Sequence, residues 1–319
     1  MPPDGETREI LRKAAAGPLM TRMTDREEIL MSNTMEHDFA LEYRLRELDP
    51  ELHRRFADGV VSMQHLLNGY QRLFPDFTDH TVLHSMTIID FCNRLIGDQI
   101  TRLNKDEIFC LLMGCYLHDV GMGVSDRDLA VFSRELGIES PEAHDAGDLI
   151  RQYHHEFSGQ FIRKYAEFFE FPSAPHLRAV VQIARGHRKT DLMDESDFRL
   201  ALRVPNGNTI CLPYLAALVR LADEIDVTAA RNPTILYRPE ALTEERDILE
   251  HRKHLAVRDL EITADAFTLL IDDANPRITE RIYQMAAKMQ ATLDECRAAV
   301  LGRTPFEITQ REVRVEAIE

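Results

Sequence analysis

Apolar positions recur three and four residues apart over most of this chain, which is the spacing of one buried face on a helix. Charged and apolar residues interleave in this way over residues 25–48. They do so again over 51–73, where Phe56, Val60, Met63, Leu67 and Tyr70 fall on one stripe. The run Phe74-Pro75-Asp76-Phe77-Thr78 breaks that helix. A third is predicted to start at Thr78 or Asp79, either of which can cap it, and to reach Ile96. The next helix, 105–118, is apolar all round in its middle, so it belongs at the centre of the fold, and Gly121 and Gly123 mark its end. Further helices are expected over 125–136, 152–170, 174–186 and 212–229. The irregular polar stretch from Thr190 to Ile210 is long for a mere connection, which suggests a lid or a substrate loop.

After Asn232-Pro233 the period changes. Residues 256–262 and 267–271 read as short strands, 276–301 as an amphipathic helix, and 307–317 as a strand. The fold class is therefore mainly α: a helical bundle with a small C-terminal α+β appendage of β-β-α-β order. Three regions follow: a helical lead-in over 1–50, a main helical domain over 51–232, and the appendage over 233–319.

Composition narrows the class of partner. With 38 lysines and arginines against 54 acids the formal charge is −16, which lacks the basic footprint of general nucleic-acid binding and is repelled by anionic membranes. A small phosphorylated substrate remains open, since a bound cation and a few local bases can dominate a pocket on an acidic protein. The longest apolar run, 108–117, is about half of the ~20 residues that span a bilayer. The five cysteines form no CxxC pair, and Cys92, Cys110 and Cys115 lie in apolar stretches, so they read as reduced core residues. With no basic and apolar leader at the N-terminus, a cytoplasmic location is expected.

The candidate chemistry lies among the thirteen histidines. His118-Asp119 closes the most apolar helix of the chain. An unpaired carboxylate buried there would cost several kcal/mol or be forced to protonate, and a divalent cation removes that penalty. The dipeptide alone means little, because His37-Asp38 and His144-Asp145 repeat it in polar surroundings. Its neighbours add weight. His84 precedes an apolar helical run, His154-His155 and His187 sit on separate helices, and Asp223 ends another apolar helix. Ligands converging from facing helices are how all-helical folds build metal sites. Imidazole and carboxylate together suit Mn, Fe, Zn, Ni or Mg better than soft metals. His80, one turn before His84, reads equally as a polar residue near a helix start and as an acid or phosphate ligand of the pocket. Arg188 and Lys189 follow His187 directly and Arg220 lies one turn before Asp223, which makes them candidate substrate-binding cations. No Gly-x-Ser-x-Gly elbow, P-loop or Rossmann glycine pattern is present.

In its order of His, His-Asp, His, His and Asp, the stretch 78–230 resembles the HD superfamily of metal-dependent phosphohydrolases. The resemblance implies that His84, His118, Asp119 and Asp223 hold one metal. It implies that Asp119 bridges to a second, held by His155 and His187. His155 is preferred over His154 because Gly159 follows it by four, as in the family's His-x-x-x-Gly stretch. The implied activity is hydrolysis of a phosphoester or phosphoanhydride, of a nucleotide or related small molecule, by a metal-activated hydroxide with one or two divalent ions, and with Asp119 and His80 as the catalytic residues. The glycine-rich Gly-Tyr-Pro signature of cyclic-di-GMP phosphodiesterases is absent. The alternative is a nucleotide-binding sensor without catalysis, and a homo-oligomer is compatible with both.

Overall fold

The computed structural model describes residues 40–67, 82–138, 146–228, 245–273 and 275–318. Ten helices are used below: α1 (Ala40–Leu48), α2 (Pro50–Leu67), α3 (Val82–Ile96), α4 (Lys105–Leu117), α5 (Asp126–Leu136), α6 (Ala146–Lys164), α7 (Ala174–Gly186), α8 (Leu212–Ile225), α9 (Glu245–Ala256) and α10 (Pro276–Val300). Five strands accompany them: β1 (Leu202–Arg203), β2 (Thr209–Ile210), β3 (Val257–Ile262), β4 (Ala266–Ile271) and β5 (Glu312–Ala317).

Helix α4 is the axis of the bundle. Asn104 caps it, accepting from the backbone amides of Asp106 and Glu107, while Glu107 reaches back to the Asn104 amide. Every residue from Asp106 to Leu117 is buried, which accounts for the lack of a polar face in the sequence. Helices α1, α2, α3, α7 and α8 pack around it. The stripe expected on α2 is seen at Phe56 and Met63, both in the core, whereas Leu67 and Tyr70 fall outside the described side chains.

The appendage has the expected β-β-α-β order, with strands arranged β3-β4-β5. Strands β3 and β4 pair antiparallel as a hairpin; β4 and β5 pair parallel, Ala266 opposite Glu312 through Ile271 opposite Ala317, with α10 as the crossover. One face of α10 (Ile278, Ile282, Met289, Leu293, Cys296) is fully buried, against the sheet and against α8. The tail docks on the bundle as well. The Phe306 ring stacks on Tyr214 at 4.3 Å, and Gln99 and Glu307 exchange two hydrogen bonds of 2.8 and 2.9 Å.

Several boundaries differ from the expected ones. Helix α6 spans 146–164 rather than 152–170, and α8 stops at Ile225 rather than 229. The last strand starts at Glu312, not 307. Arg297 takes the carbonyls of Ile308, Thr309 and Gln310, so those groups do not enter a ladder. The stretch 190–210 is only partly a loop. It ends in a β1–β2 hairpin whose turn carries Gly207 at φ +93°, a left-handed conformation suited to glycine. All five cysteines are buried free thiols. Among the described residues no single helix is long and apolar enough to cross a membrane.

Candidate metal centre

Four helix ends and the middle of a fifth helix meet at one point. His84 lies in the first turn of α3, His118 and Asp119 follow the last turn of α4, His154 sits in mid-α6, His187 caps α7 and Asp223 lies in the last turn of α8. The approach of α4's end to α6 depends on Gly121. A β-carbon there would stand 2.1 Å from the His154 carbonyl and 2.5 Å from the Ser158 amide, so no other residue fits without moving a helix. Ser158 completes the joint, donating its hydroxyl to the His118 carbonyl at 2.6 Å and accepting from the Gly121 amide at 2.8 Å.

Two clusters result, and Asp119 belongs to both. In the first, the Nε2 atoms of His84 and His118 are 3.2 Å apart. Asp223 Oδ1 is 3.5 Å from His84 Nε2, and Asp119 Oδ2 is 3.5 Å from His118 Nε2. In the second, the Nε2 atoms of His154 and His187 are 3.1 Å apart, and Asp119 Oδ1 stands 3.4 and 3.3 Å from them. The donor atoms of each group fall within 4.8 Å of one another, a spacing that lets a single ion be held.

The outward-facing nitrogens decide what these distances mean. His84 Nδ1 donates to Asp226 Oδ2 at 2.8 Å, His118 Nδ1 to the Cys115 carbonyl at 2.8 Å, His154 Nδ1 to the Arg151 carbonyl at 3.0 Å and His187 Nδ1 to the Ala184 carbonyl. Carbonyls and carboxylates only accept, so each Nδ1 carries a proton, and each ring turns its Nε2 inward as the atom open to a metal. Burial pushes both His118 and His154 down to about 4, so they are neutral near pH 7. Four Nε2 atoms and two carboxylates therefore converge on one largely buried space, with Asp119 between the two pairs of rings. Two imidazoles on one ion, at about 2.05 Å each and with a bond angle near ~100°, stand about 3.1–3.2 Å apart, which the observed spacings match. The donor set fits a divalent cation in each cluster.

The sequence reading preferred His155, and the structure puts His154 in the cluster instead. Successive residues on a helix are about 100° apart, so the two rings cannot share a face. The face carrying His154 and Ser158 meets the end of α4. The adjacent face, with Gly159, lies against α7, where a β-carbon on Gly159 would be 2.9 Å from the Arg185 side chain. The glycine four residues after His155 thus marks helix–helix packing rather than ligation. The His155 ring is buried near His187, centroids 6.3 Å apart, and its Nδ1 has no hydrogen-bond partner; burial pushes it down to about 3.

Asp226 just beyond α8 is buried and fixes the His84 tautomer, an orienting role of the kind that metal-bound histidines depend on. Glu224 faces Lys288 of α10 at 2.9 Å. Arg220 departs from its expected role. Its Nε donates to the Gly186 carbonyl at 2.7 Å and its Nη2 to the Thr190 carbonyl at 2.6 Å, so its guanidinium pins the loop that carries His187, Arg188 and Lys189. In that loop Lys189 has φ +31°, a left-handed conformation rare for a side-chain-bearing residue. His80, and the control pairs His37-Asp38 and His144-Asp145, lie outside the described residues.

A cleft of about 1040 Å³ opens beside the clusters. His187, Asp223 and Asp226 form its inner end, Arg188 and Lys189 one rim, and side chains of α9 and α10 its opposite wall. Of the 190–210 stretch, residues 190–193 line the cleft, while Asn206 and Asn208 in the hairpin turn are bound to Asp106 on the other side of the bundle.

A family model described as HD-CE matches residues 74–301, spanning the bundle and most of the appendage. Neither the curated proteins nor the solved structures contain a match.

Proposed function

The chain belongs to the HD-CE family, and from that HD-type domain and the buried His/Asp clusters we propose a metal-dependent phosphohydrolase acting on a phosphoester or phosphoanhydride of a nucleotide or related small molecule. The observation that carries this reading is the inward convergence of four Nε2 atoms on Asp119, with every Nδ1 held by an acceptor. Divalent cations held there supply Lewis acidity toward water and phosphoryl oxygen.

The chain's own residues divide the remaining work. Asp119 offers one carboxylate oxygen to each cluster, so it fixes the spacing of the two. Asp223 is the ligand candidate with the most open side chain, 20% exposed, so substrate enters on its side, from the cleft. Arg188 and Lys189 on the rim supply N–H donors to the non-bridging oxygens of a phosphoryl group seated beside His187. Arg220 keeps those two cations in place by holding the backbone on either side of them. The apolar residues of α4 exclude water behind the clusters, so charges at the inner end interact in a low-dielectric setting.

The test is a screen of nucleotides, cyclic nucleotides and simple phosphoesters against the full chain in Mn²⁺, with metal content measured alongside. Turnover by wild type and its loss in Asp119→Ala is the expected result. Purified protein that retains no transition metal sinks the site. Metal-loaded protein that binds a nucleotide without turning it over replaces the enzyme by a sensor.

A further inference from the structure

The cleft has a second wall that the two clusters do not need. Along α10 the positions facing it include Arg281, Gln284, Met285, Lys288, Thr292 and Glu295, a stripe on the flank of the helix beside its apolar face. From Arg281 to Glu295 this stripe is about 21 Å long at 1.5 Å per residue. Its cationic end is the one near the clusters. Lys288 contacts Glu224, the neighbour of Asp223, and His254 of α9 bonds the Val227 carbonyl at 3.1 Å, which brings Lys253 to the same end. The acidic end, Glu295, faces Arg220 at 3.7 Å.

Charge in the cleft runs against the charge of the chain. Six lysines and arginines line it (Arg188, Lys189, Arg220, Lys253, Arg281 and Lys288) against five carboxylates, in a protein with 54 acids and 38 bases. The wall is also firmly mounted. The apolar face of α10 is buried on α8, and Arg303 just beyond α10 donates to the Met193 carbonyl and to Glu195, joining the appendage to the opposite rim.

Resting on the phosphohydrolase reading, we infer that the appendage is part of the active site: Lys253 and Arg281, assisted by Lys288, bind a second anionic group of the substrate while the reacting phosphoryl group sits at the clusters. The substrate class is then an elongated small molecule with at least two anionic groups, and its selection lies in α9 and α10 rather than in the bundle. A cavity of this size accommodates such a molecule, and a single phosphoryl group fills a small part of it.

Binding tests this without requiring the true substrate. Manganese-loaded full chain is titrated calorimetrically with pentyl phosphate and with a series of alkane-α,ω-diol bisphosphates of increasing tether length. At least one bisphosphate should bind about tenfold more tightly than the monophosphate, as expected when a second site is engaged through a tether. In Lys253→Ala/Arg281→Ala that ratio should fall close to one with metal content retained, and Arg281→Glu should bring it below one. Circular dichroism melts check that both variants fold; if the double variant does not, Arg281→Gln alone should lower the ratio at least about threefold. A bisphosphate advantage that is absent in wild type, or that survives in the variants, overturns the inference and leaves the phosphohydrolase reading intact. Wild type that holds metal but binds no alkyl phosphate at all overturns both.

Discussion

Two of the bundle's buried carboxylates that meet histidines, Asp106 and Asp119, are built on opposite plans. Asp106, at the start of α4, is saturated with donors: His176 Nε2 at 2.8 Å on one oxygen, and the amides of Asn206 and Asn208 at 2.9 and 2.7 Å on the other. Ser173 closes the chain with a hydroxyl on His176 Nδ1 at 2.8 Å. Asp119, just past the end of the same helix, lies between two pairs of histidine Nε2 atoms. Ser173-His176-Asp106 has the residue types of a hydrolytic triad, yet its histidine presents Nε2 to the carboxylate and its bonds tie a hairpin turn to two helices. Similar residues thus give a structural clamp where amide and imidazole donors close on the carboxylate, and a candidate metal centre where imidazoles held through Nδ1 turn Nε2 toward it.

The largest expected consequence of that contrast is at Asp119. Asp119→Ala removes the one side chain shared by both clusters. Metal affinity should fall by more than the ~10–100-fold typical of losing a supporting residue. Metal-free protein should lose little stability, because the change relieves the burial of a charge in a pocket that has no cation in it. Mass-spectrometric metal analysis and melting of the chelated protein read the two quantities. A large drop in the melting temperature of metal-free Asp119→Ala would mean that Asp119 is a clamp like Asp106.

Next is the neighbouring pair on α6. His154→Ala should cost the second cluster its ion and leave the first occupied, so metal content falls from about two to about one per chain if both clusters fill in wild type. His155→Ala should leave metal content unchanged, since the His155 ring lies outside both donor groups. The reverse result would restore the ligand assigned from sequence.

That exchange illustrates what the sequence could carry. The bundle and the appendage were legible because both rest on local pattern: the all-apolar run of α4, the short apolar run of β4, the stripe on α10. The cluster positions on α3, α4, α7 and α8 were legible because each is a polar residue at the end of an apolar helix. On α6 two histidines are adjacent, and choosing between them requires knowing which face meets α4. That is set by the close approach at Gly121, a residue read from sequence merely as the end of a helix. The true role of Arg220 and the cleft wall on α10 were equally out of reach, since both depend on contacts between segments distant in the chain.

A smaller effect is expected at Asp226, whose side chain supports the first cluster by holding His84. In Asp226→Asn the amide oxygen can still accept from Nδ1, so the fold is kept, but the charge that strengthens the imidazole as a ligand is gone. Metal affinity should weaken about 10–100-fold. Titration against a competing chelator measures this, and Asp226→Glu should recover part of it. An unchanged affinity would assign Asp226 to packing alone.

The subtlest test returns to Asp106 and uses pH. Burial raises its carboxyl, but the hydrogen bonds from His176, Asn206 and Asn208 outweigh that and hold it at about 2. A carboxylate that is more acidic folded than unfolded contributes stability that is complete above its unfolded pKa of about 3.9 and is lost as pH falls toward its folded value. Asp106→Asn forfeits that contribution at every pH and turns an amide N–H toward donors, at a cost of about 1–3 kcal/mol near neutrality. The gap between wild type and variant in urea unfolding should therefore be flat from pH 7 to about 4.5 and narrow below about 4. Metal content should be the same in both proteins throughout the flat region, because none of the Asp106 donors belongs to either cluster. A gap that widens on acidification would reverse the sign of the argument, placing the proton on Asp106 in the folded state and making the clamp a neutral network.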